Sequence, residues 1–276
     1  VSEQIAAGIR ALVGARSDPG RRRQVNEDAA LASQHLVVVA DGMGGHEHGA
    51  RASAAVIRAF EPLAGQRPLR RADVAAAIGA AHREVSELGG ARGAGSTVTG
   101  IALVVEHGRP RWLVFNVGDS RVYRLHEGTL AQLTLDHSVV QELVDAGELL
   151  PEQAASYVGR NVITRAVGAD LEATGNPGVD YLTVPVVTGD RLLVCSDGLT
   201  TEVGDDRITD VLCRGGQPQA AADELVERAL VAGGRDNVTV VVLDVIEGWL
   251  EPAGVRPQDD LPEETTLTGR RRTGRD

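Results

Sequence analysis

Acidic residues stand at the ends of successive apolar runs in this chain. Leu36-Val37-Val38-Val39-Ala40 leads into Asp41-Gly42, Trp112-Leu113-Val114-Phe115-Asn116-Val117 into Gly118-Asp119, and Leu192-Leu193-Val194-Cys195-Ser196 into Asp197-Gly198. Asp236-Asn237 precedes the run Val238-Thr239-Val240-Val241-Val242, and Glu27-Asp28 precedes Ala29-Ala30-Leu31. A carboxylate fixed at a strand end cannot retreat from its neighbours. Two of them about 4 Å apart repel by roughly 4 kcal/mol at an effective dielectric of about 20. A cluster must therefore take up protons or hold a cation. All-oxygen donors select Mg²⁺, Mn²⁺ or Ca²⁺ over zinc or copper. One Asp-Gly alone is an ordinary turn; recurrence at strand end after strand end points to a hard-metal site.

The rest of the chain must bring these ends together. Its 276 residues suffice for one large domain or two small ones. Apolar residues make up 42 % and aromatics only 3 %, so the core is built of Val, Leu, Ile and Ala. The net charge of −11 argues against nucleic acid or an anionic membrane as partner, and against a metal-dependent nuclease. Cys195 and Cys213 give no disulfide framework, and Cys195, inside an apolar run, reads as a buried free thiol. A reducing, cytoplasmic setting is expected. No run long enough to span a bilayer and no signal-peptide pattern occurs, so membrane insertion is not expected. The first residue is Val1 rather than Met, which fits a processed or trimmed terminus.

Residues 1–20 read as a short amphipathic lead-in, followed by strands near 27–33 and 36–40 and a helix over about 48–63. Val74, Ile78, Ala81, Val85 and Leu88 predict a helix from Pro68 to Leu88, with Pro68 in its first turn. Apolar runs at 97–105, 111–117, 121–125 and 129–133 are separated by turns too short for a crossover helix. They predict antiparallel neighbours. Further strands fall at 182–187, 191–196 and 238–246, with a helix over Pro218–Ala232 before the last. Several strands are apolar on both faces, which requires two stacked sheets. The expected fold is α+β, a four-layer α-β-β-α sandwich of two mainly antiparallel sheets flanked by helices. Residues 1–247 form the domain, 136–168 a polar flap, and 248–276 a disordered tail.

These motifs resemble the metal-dependent serine/threonine protein phosphatases, the PPM or type 2C family, in its bacterial branch. The matching stretches are Arg23-Gln24-Val25-Asn26-Glu27-Asp28, Asp41-Gly42-Met43-Gly44-Gly45, Gly95-Ser96-Thr97, Asn116-Val117-Gly118-Asp119-Ser120-Arg121, Cys195-Ser196-Asp197-Gly198-Leu199 and Gly234-Arg235-Asp236-Asn237-Val238-Thr239. They run in the family's order between residues 12 and 246. The resemblance implies two Mn²⁺ or Mg²⁺ ions. Asp41 would bridge them, the Gly42 carbonyl would join one, and Asp197 and Asp236 would complete the other. Glu27 and Asp28 would hold metal-bound waters. Asp119 with Asp197 would make a third position. Arg23 would bind substrate phosphate, and Asn237 would orient its loop or a water. The implied reaction is hydrolysis of phosphoserine and phosphothreonine by direct attack of a metal-bridging hydroxide, without a covalent phosphoenzyme. The implied partners are phosphorylated proteins, the Ser/Thr kinases or their substrates, and the implied state is a monomer. A non-catalytic, phosphoprotein-binding domain of the same fold is the alternative; it would require missing acidic ligands, and none is missing.

Where animal members of the family carry a His two residues after the bridging Asp, this chain has Met43, whose thioether cannot donate a proton. His46 and His48 lack the third ligand that a zinc site needs and read as cleft-edge residues. Arg160-Asn161 resembles part of the family's flap, but the preceding His-Pro is replaced by Tyr157-Val158-Gly159. In the tail, Glu263-Glu264-Thr265-Thr266-Leu267 is an acidic-Thr-Thr stretch that a Ser/Thr kinase could phosphorylate, though on composition a solubilising tail is the favoured reading.

Overall fold

A computed structural model of the chain describes residues 8–249 apart from 46, 67, 89–92, 155–156, 160 and 170–175. The expected tail from 250 onward, His46 and Arg160 lie outside the described residues.

Strands β1 (Arg10–Asp18), β2 (Asp28–Ala32), β3 (Leu36–Met43), β4 (Gly95–Ser96), β5 (Val98–Glu106), β6 (Arg109–Val117), β7 (Arg121–His126), β8 (Thr129–Gln132), β9 (Asp180–Pro185), β10 (Arg191–Cys195) and β11 (Val238–Glu247) form two antiparallel sheets. One has the order β1-β11-β10-β7-β8; the other has the order β2-β3-β5-β6-β9, with β4 attached to β3. Helices α1 (Glu47–Phe60) and α2 (Arg71–Leu88) cover the second sheet, and α6 (Asp205–Cys213) and α7 (Pro218–Ala232) cover the first. Shorter helices are α3 (Val139–Asp145) and α4 (Pro151–Ala154) in the flap, and α5 (Asp197–Thr200) after β10. This is the α-β-β-α sandwich.

The continuous apolar runs still obey a period of two. In β3, Leu36, Val38 and Ala40 face α1 and α2, joining Val56, Phe60, Ile78 and Val85. Val37 and Val39 point the other way, into the layer between the sheets, where they meet Ile101, Trp112, Leu192 and Val241. On the far side, Leu193, Cys195, Val240 and Val242 pack beneath Ile208, Leu225 and Ala229. Three apolar layers thus fill the three gaps between four structural layers.

Three sequence expectations need correction. Residues 10–18 are not a lead-in but an edge strand, paired along its length with β11. Its two buried residues, Ala11 and Gly14, are three apart, so the short apolar stretch did not distinguish strand from helix. Pro68 lies outside α2, which begins at Arg71 with Asp73 accepting from the Arg70 amide. The runs at 111–117 and 121–125 are not neighbours: β6 and β7 belong to different sheets. The chain crosses between them at Gly118, whose φ of 111° suits glycine and where a Cβ would fall 2.5 Å from Thr97 Cγ2. Helices α5 and α6 were not anticipated.

Antiparallel pairing sets the C-terminal end of one strand beside the N-terminal end of the next. Asp28 of β2 pairs with Asp41 of β3. Cys195 of β10 pairs with Val240 of β11, which brings Asp197 beside Asp236-Asn237. All the singled-out acidic residues therefore come to one edge of the sandwich.

Trp112 is fully buried between the sheets, and its indole nitrogen has no hydrogen-bond partner. Truncation to alanine is expected to cost about 3–5 kcal/mol in chemical denaturation. A loss below about 1 kcal/mol would mean that the sheets close over the cavity, against the packing described here.

Candidate active site

The cluster is held by backbone and hydroxyl contacts rather than by its own charges. The Asp41 amide donates to Thr97 Oγ1 at 2.9 Å, and the Thr97 amide donates back to the Asp41 carbonyl at 2.9 Å. Thr97 Oγ1 in turn lies 2.9 Å from Ser120 Oγ, next to Asp119. Ser196 Oγ donates to Asp28 Oδ2 at 2.7 Å and accepts from the Thr239 amide at 2.9 Å. Asn237 Oδ1 accepts from the Glu27 amide at 2.8 Å, while its Nδ2 donates to the carbonyls of Pro19 and Val25. The Glu27 carbonyl accepts from Gly42 N at 3.1 Å. The glycine after Asp197 is required by close approach, since a Cβ on Gly198 would sit 1.9 Å from the Asn237 carbonyl oxygen. Of these supporting groups, Ser196 and the Thr97–Ser120 pair had no assigned role in the sequence reading. Their signal was polar residues inside otherwise apolar strand ends.

Within this frame Asp28, Asp119, Asp197 and Asp236 all act electrostatically on Asp41. Burial, reinforced by these like charges, drives the Asp41 carboxyl well above its ordinary range. The same causes push Asp28 up to about 7, Asp119 to about 8 and Asp197 to about 6. Asp28 Oδ1 is buried without a hydrogen-bond partner. Arg23, about half exposed, donates to Asp236 Oδ2 at 2.8 Å, which raises its own proton affinity. Glu27 is buried, its carboxylate lying over Gly49 at the start of α1. Met43 lies over Gly95. His48 sits in the first turn of α1.

A cavity of about 600 Å³ adjoins the cluster. Asp119, Asp197 and Arg235 line it together with Ser138, Gln141 and Val144 of the flap. Arg121 also lines it, fixed by a two-pronged bond to Asp136 at 2.9 and 2.7 Å. Burial works against the charge of Arg121, but Asp136 outweighs it and keeps the guanidinium protonated. Glu202 grips Arg235 through the backbone amide, Nε and Nη2, at 2.8–3.1 Å. Glu202 was not singled out from sequence, and Arg121 stood in a quoted motif without an assigned role.

Among the described residues, no three His, Cys, Asp or Glu side chains form a ready chelate for one ion. The donor set nonetheless fits hard cations that keep part of their water: it is all oxygen, buried, mutually repelling and includes an orphaned carboxylate oxygen.

A family model described as "Protein phosphatase 2C" matches residues 20–231. The chain belongs to the protein phosphatase 2C family. Among its relatives is the "Serine/threonine protein phosphatase PstP" of Mycobacterium tuberculosis, 41 % identical over 273 residues, covering 93 % of this chain and 50 % of that protein. This chain thus spans about half the length of that mycobacterial relative. The "Serine/threonine phosphatase stp" of Listeria welshimeri is 34 % identical over 245 residues, covering 83 % of this chain and 94 % of that protein. In three dimensions the chain is similar to the crystal structure of the PstP catalytic domain in complex with two manganese ions. The TM-score is 0.75 at 36 % identity, with 87 % of this chain and 100 % of that chain covered. Among the described residues, no helix is long and apolar enough to cross a membrane.

The cluster's titration has a sign that can be tested. Asp28, Asp119 and Asp197 are raised above the ordinary 3.8, so the native protein keeps protons that the unfolded chain has released. Each such proton lowers stability by about 1.4 kcal/mol per pH unit within its window. Stability of chelator-treated protein should therefore decline as pH rises from about 4 to about 8. Asp180 and Glu202, held low, contribute changes only below that window. Thermal denaturation in EDTA that is flat or rises across it would contradict this account.

Proposed function

We propose that this chain hydrolyses phosphoserine and phosphothreonine in proteins, using Mn²⁺ or Mg²⁺. The observation that carries the reading is the convergence of Asp28, Asp41, Asp119, Asp197 and Asp236 at one edge of the sandwich, like-charged oxygens that a divalent cation would reconcile. Asp41, the Gly42 carbonyl, Asp197 and Asp236 would hold two ions, with Glu27 and Asp28 fixing water around them. Asp119 with Asp197 would hold a third. When bound, such ions lower the pKa of water towards neutrality and offset charge on the transferring phosphoryl group.

The chain's own residues do the rest. Arg23 reaches the phosphate; its guanidinium is a planar fork suited to two phosphate oxygens, and it is exposed enough to exchange Asp236 for substrate. Asn237 locks the Asp236 loop against Glu27 and the Pro19–Val25 segment. Water attacks phosphorus in line, the bond to the serine or threonine oxygen breaks, and phosphate and the free hydroxyl leave. Met43 cannot protonate that oxygen, and water on the Asp119 side of the cavity is one candidate donor. A phosphocysteine route has no support: burial pushes the Cys195 thiol up to about 12, and Cys213 lies by Gly128, away from the cluster. The non-catalytic alternative has no missing carboxylate to recommend it. The substrates would be targets of Ser/Thr kinases, or the kinases themselves.

Purified protein should hydrolyse p-nitrophenyl phosphate and a phosphothreonine peptide when Mn²⁺ is added, and stop with EDTA. Asp41→Ala and Asp236→Ala should each lose nearly all turnover. Arg23→Ala should lower kcat/KM by on the order of 10- to 100-fold, the loss of charge-assisted bonds worth about 1.5–3 kcal/mol. Full activity in chelated, metal-free protein would sink the proposal.

A further inference from the structure

One buried histidine outside the acidic cluster grips the turn that carries Asp119. His137, at the root of the flap, is 4 % exposed. Its backbone amide donates to the Gly118 carbonyl at 2.9 Å, and its ring Nδ1 lies 3.1 Å from the Gly118 amide. A single residue therefore holds both polar groups of Gly118. The other ring nitrogen, Nε2, stands 3.1 Å from Asp180 Oδ2 on β9, while Arg165 donates to Asp180 Oδ1 at 3.1 Å. The His137 carbonyl accepts from the Thr164 amide at 2.8 Å, near the end of the flap.

This geometry fixes the tautomer. A peptide N–H can only donate, so Nδ1 must carry a lone pair, and the proton sits on Nε2 facing Asp180. Arg165 contacts Nε2 at 3.2 Å but finds its acceptor in Asp180 and in the Gly178 carbonyl. The arrangement matches the way a carboxylate commonly fixes a functional imidazole, with one nitrogen anchored so that the other is set for its task. Here the task is to accept a backbone bond. Gly118 is also where the chain crosses from β6 to β7, in a conformation that only glycine takes up readily. Asn116 Nδ2 adds a bond to the Gly118 carbonyl at 3.1 Å, but His137 supplies the acceptor for the Gly118 amide.

We propose that His137 is a positioning residue for phosphoryl transfer: through its Nδ1 lone pair it sets the Gly118–Asp119 turn, and through Asp180 and Arg165 it ties that turn to the base of the flap. The proposal rests on the phosphatase reading above and adds a residue that touches neither substrate nor the reacting atoms. A misplacement near 1 Å at a reacting centre can cost roughly 10²-fold in rate, so one lost backbone bond at this turn would be felt in kcat.

Two near-isosteric substitutions separate the two ring nitrogens. In His137→Asn the amide oxygen takes the place of Nδ1 and can still accept from Gly118. In His137→Gln the amide reaches the place of Nε2 and leaves the Gly118 amide without its acceptor. Three measurements on full-length protein decide the matter: kcat and KM for p-nitrophenyl phosphate at saturating Mn²⁺, thermal denaturation, and hydrogen exchange of the Gly118 amide without metal. The expected result is that His137→Gln lowers kcat roughly 10- to 100-fold with KM little changed and exposes the Gly118 amide to exchange. His137→Asn should retain most of the turnover and keep that amide protected. Equal losses in both variants, unfolding of His137→Asn, or unaltered kcat in His137→Gln would each overturn the proposal. An inactive wild-type protein would instead remove the phosphatase reading, while exchange at Gly118 would still report whether the bond forms.

Discussion

Like charge confined at one edge of a sandwich is the constraint around which the rest of this molecule is arranged. Asp28, Asp41, Asp119 and Asp197 come from four separate stretches of chain, and each is pushed towards its protonated form by burial and by the others. Left to themselves such groups would part. They do not, because every one is attached to a strand end that three apolar layers hold in place. The neutral contacts around them, Thr97 with Asp41 and Ser120, Ser196 with Asp28, and Asn237 with Glu27, fix direction without cancelling charge. Stability is thereby spent on keeping oxygens unreconciled, a common condition of functional sites.

The fold was legible where periodicity was long. The Pro218–Ala232 helix matches its sequence reading end for end, and the doubly apolar strands led directly to two stacked sheets. Legibility failed where local pattern gives no sign of tertiary partner. Residues 10–18 look like a weak amphipathic segment until β11 is beside them, because strand pairing at a distance leaves no mark in nearby residues. The β6–β7 connection is as short as a hairpin turn, yet it changes sheets. Length alone does not tell the two apart; the direction of Gly118 does. Helix α5 is a single turn, too short for a period to emerge, and α6 shows its period only in Ile208, Val211 and Leu212.

The acidic residues were legible for a related reason. A carboxylate after an apolar strand is an anomaly in one dimension, and its recurrence survives ignorance of the topology. Polar groups that serve those carboxylates give no comparable signal. Ser196, Glu202 and His137 look like ordinary polar residues until their partners from distant segments appear. Arg23 lay between: its neighbours in sequence are also arginines, and only its bond to Asp236 sets it apart from them.

The pairing of β1 with β11 has a wider consequence. Asp18 meets Val238 at the acidic edge, whereas Arg10 meets Glu247 at the opposite end of the sheet. Arg10 and Glu247 therefore share the side turned away from the cleft. A spectroscopic label fixed at either of those two residues would leave the mouth clear for a protein-sized visitor.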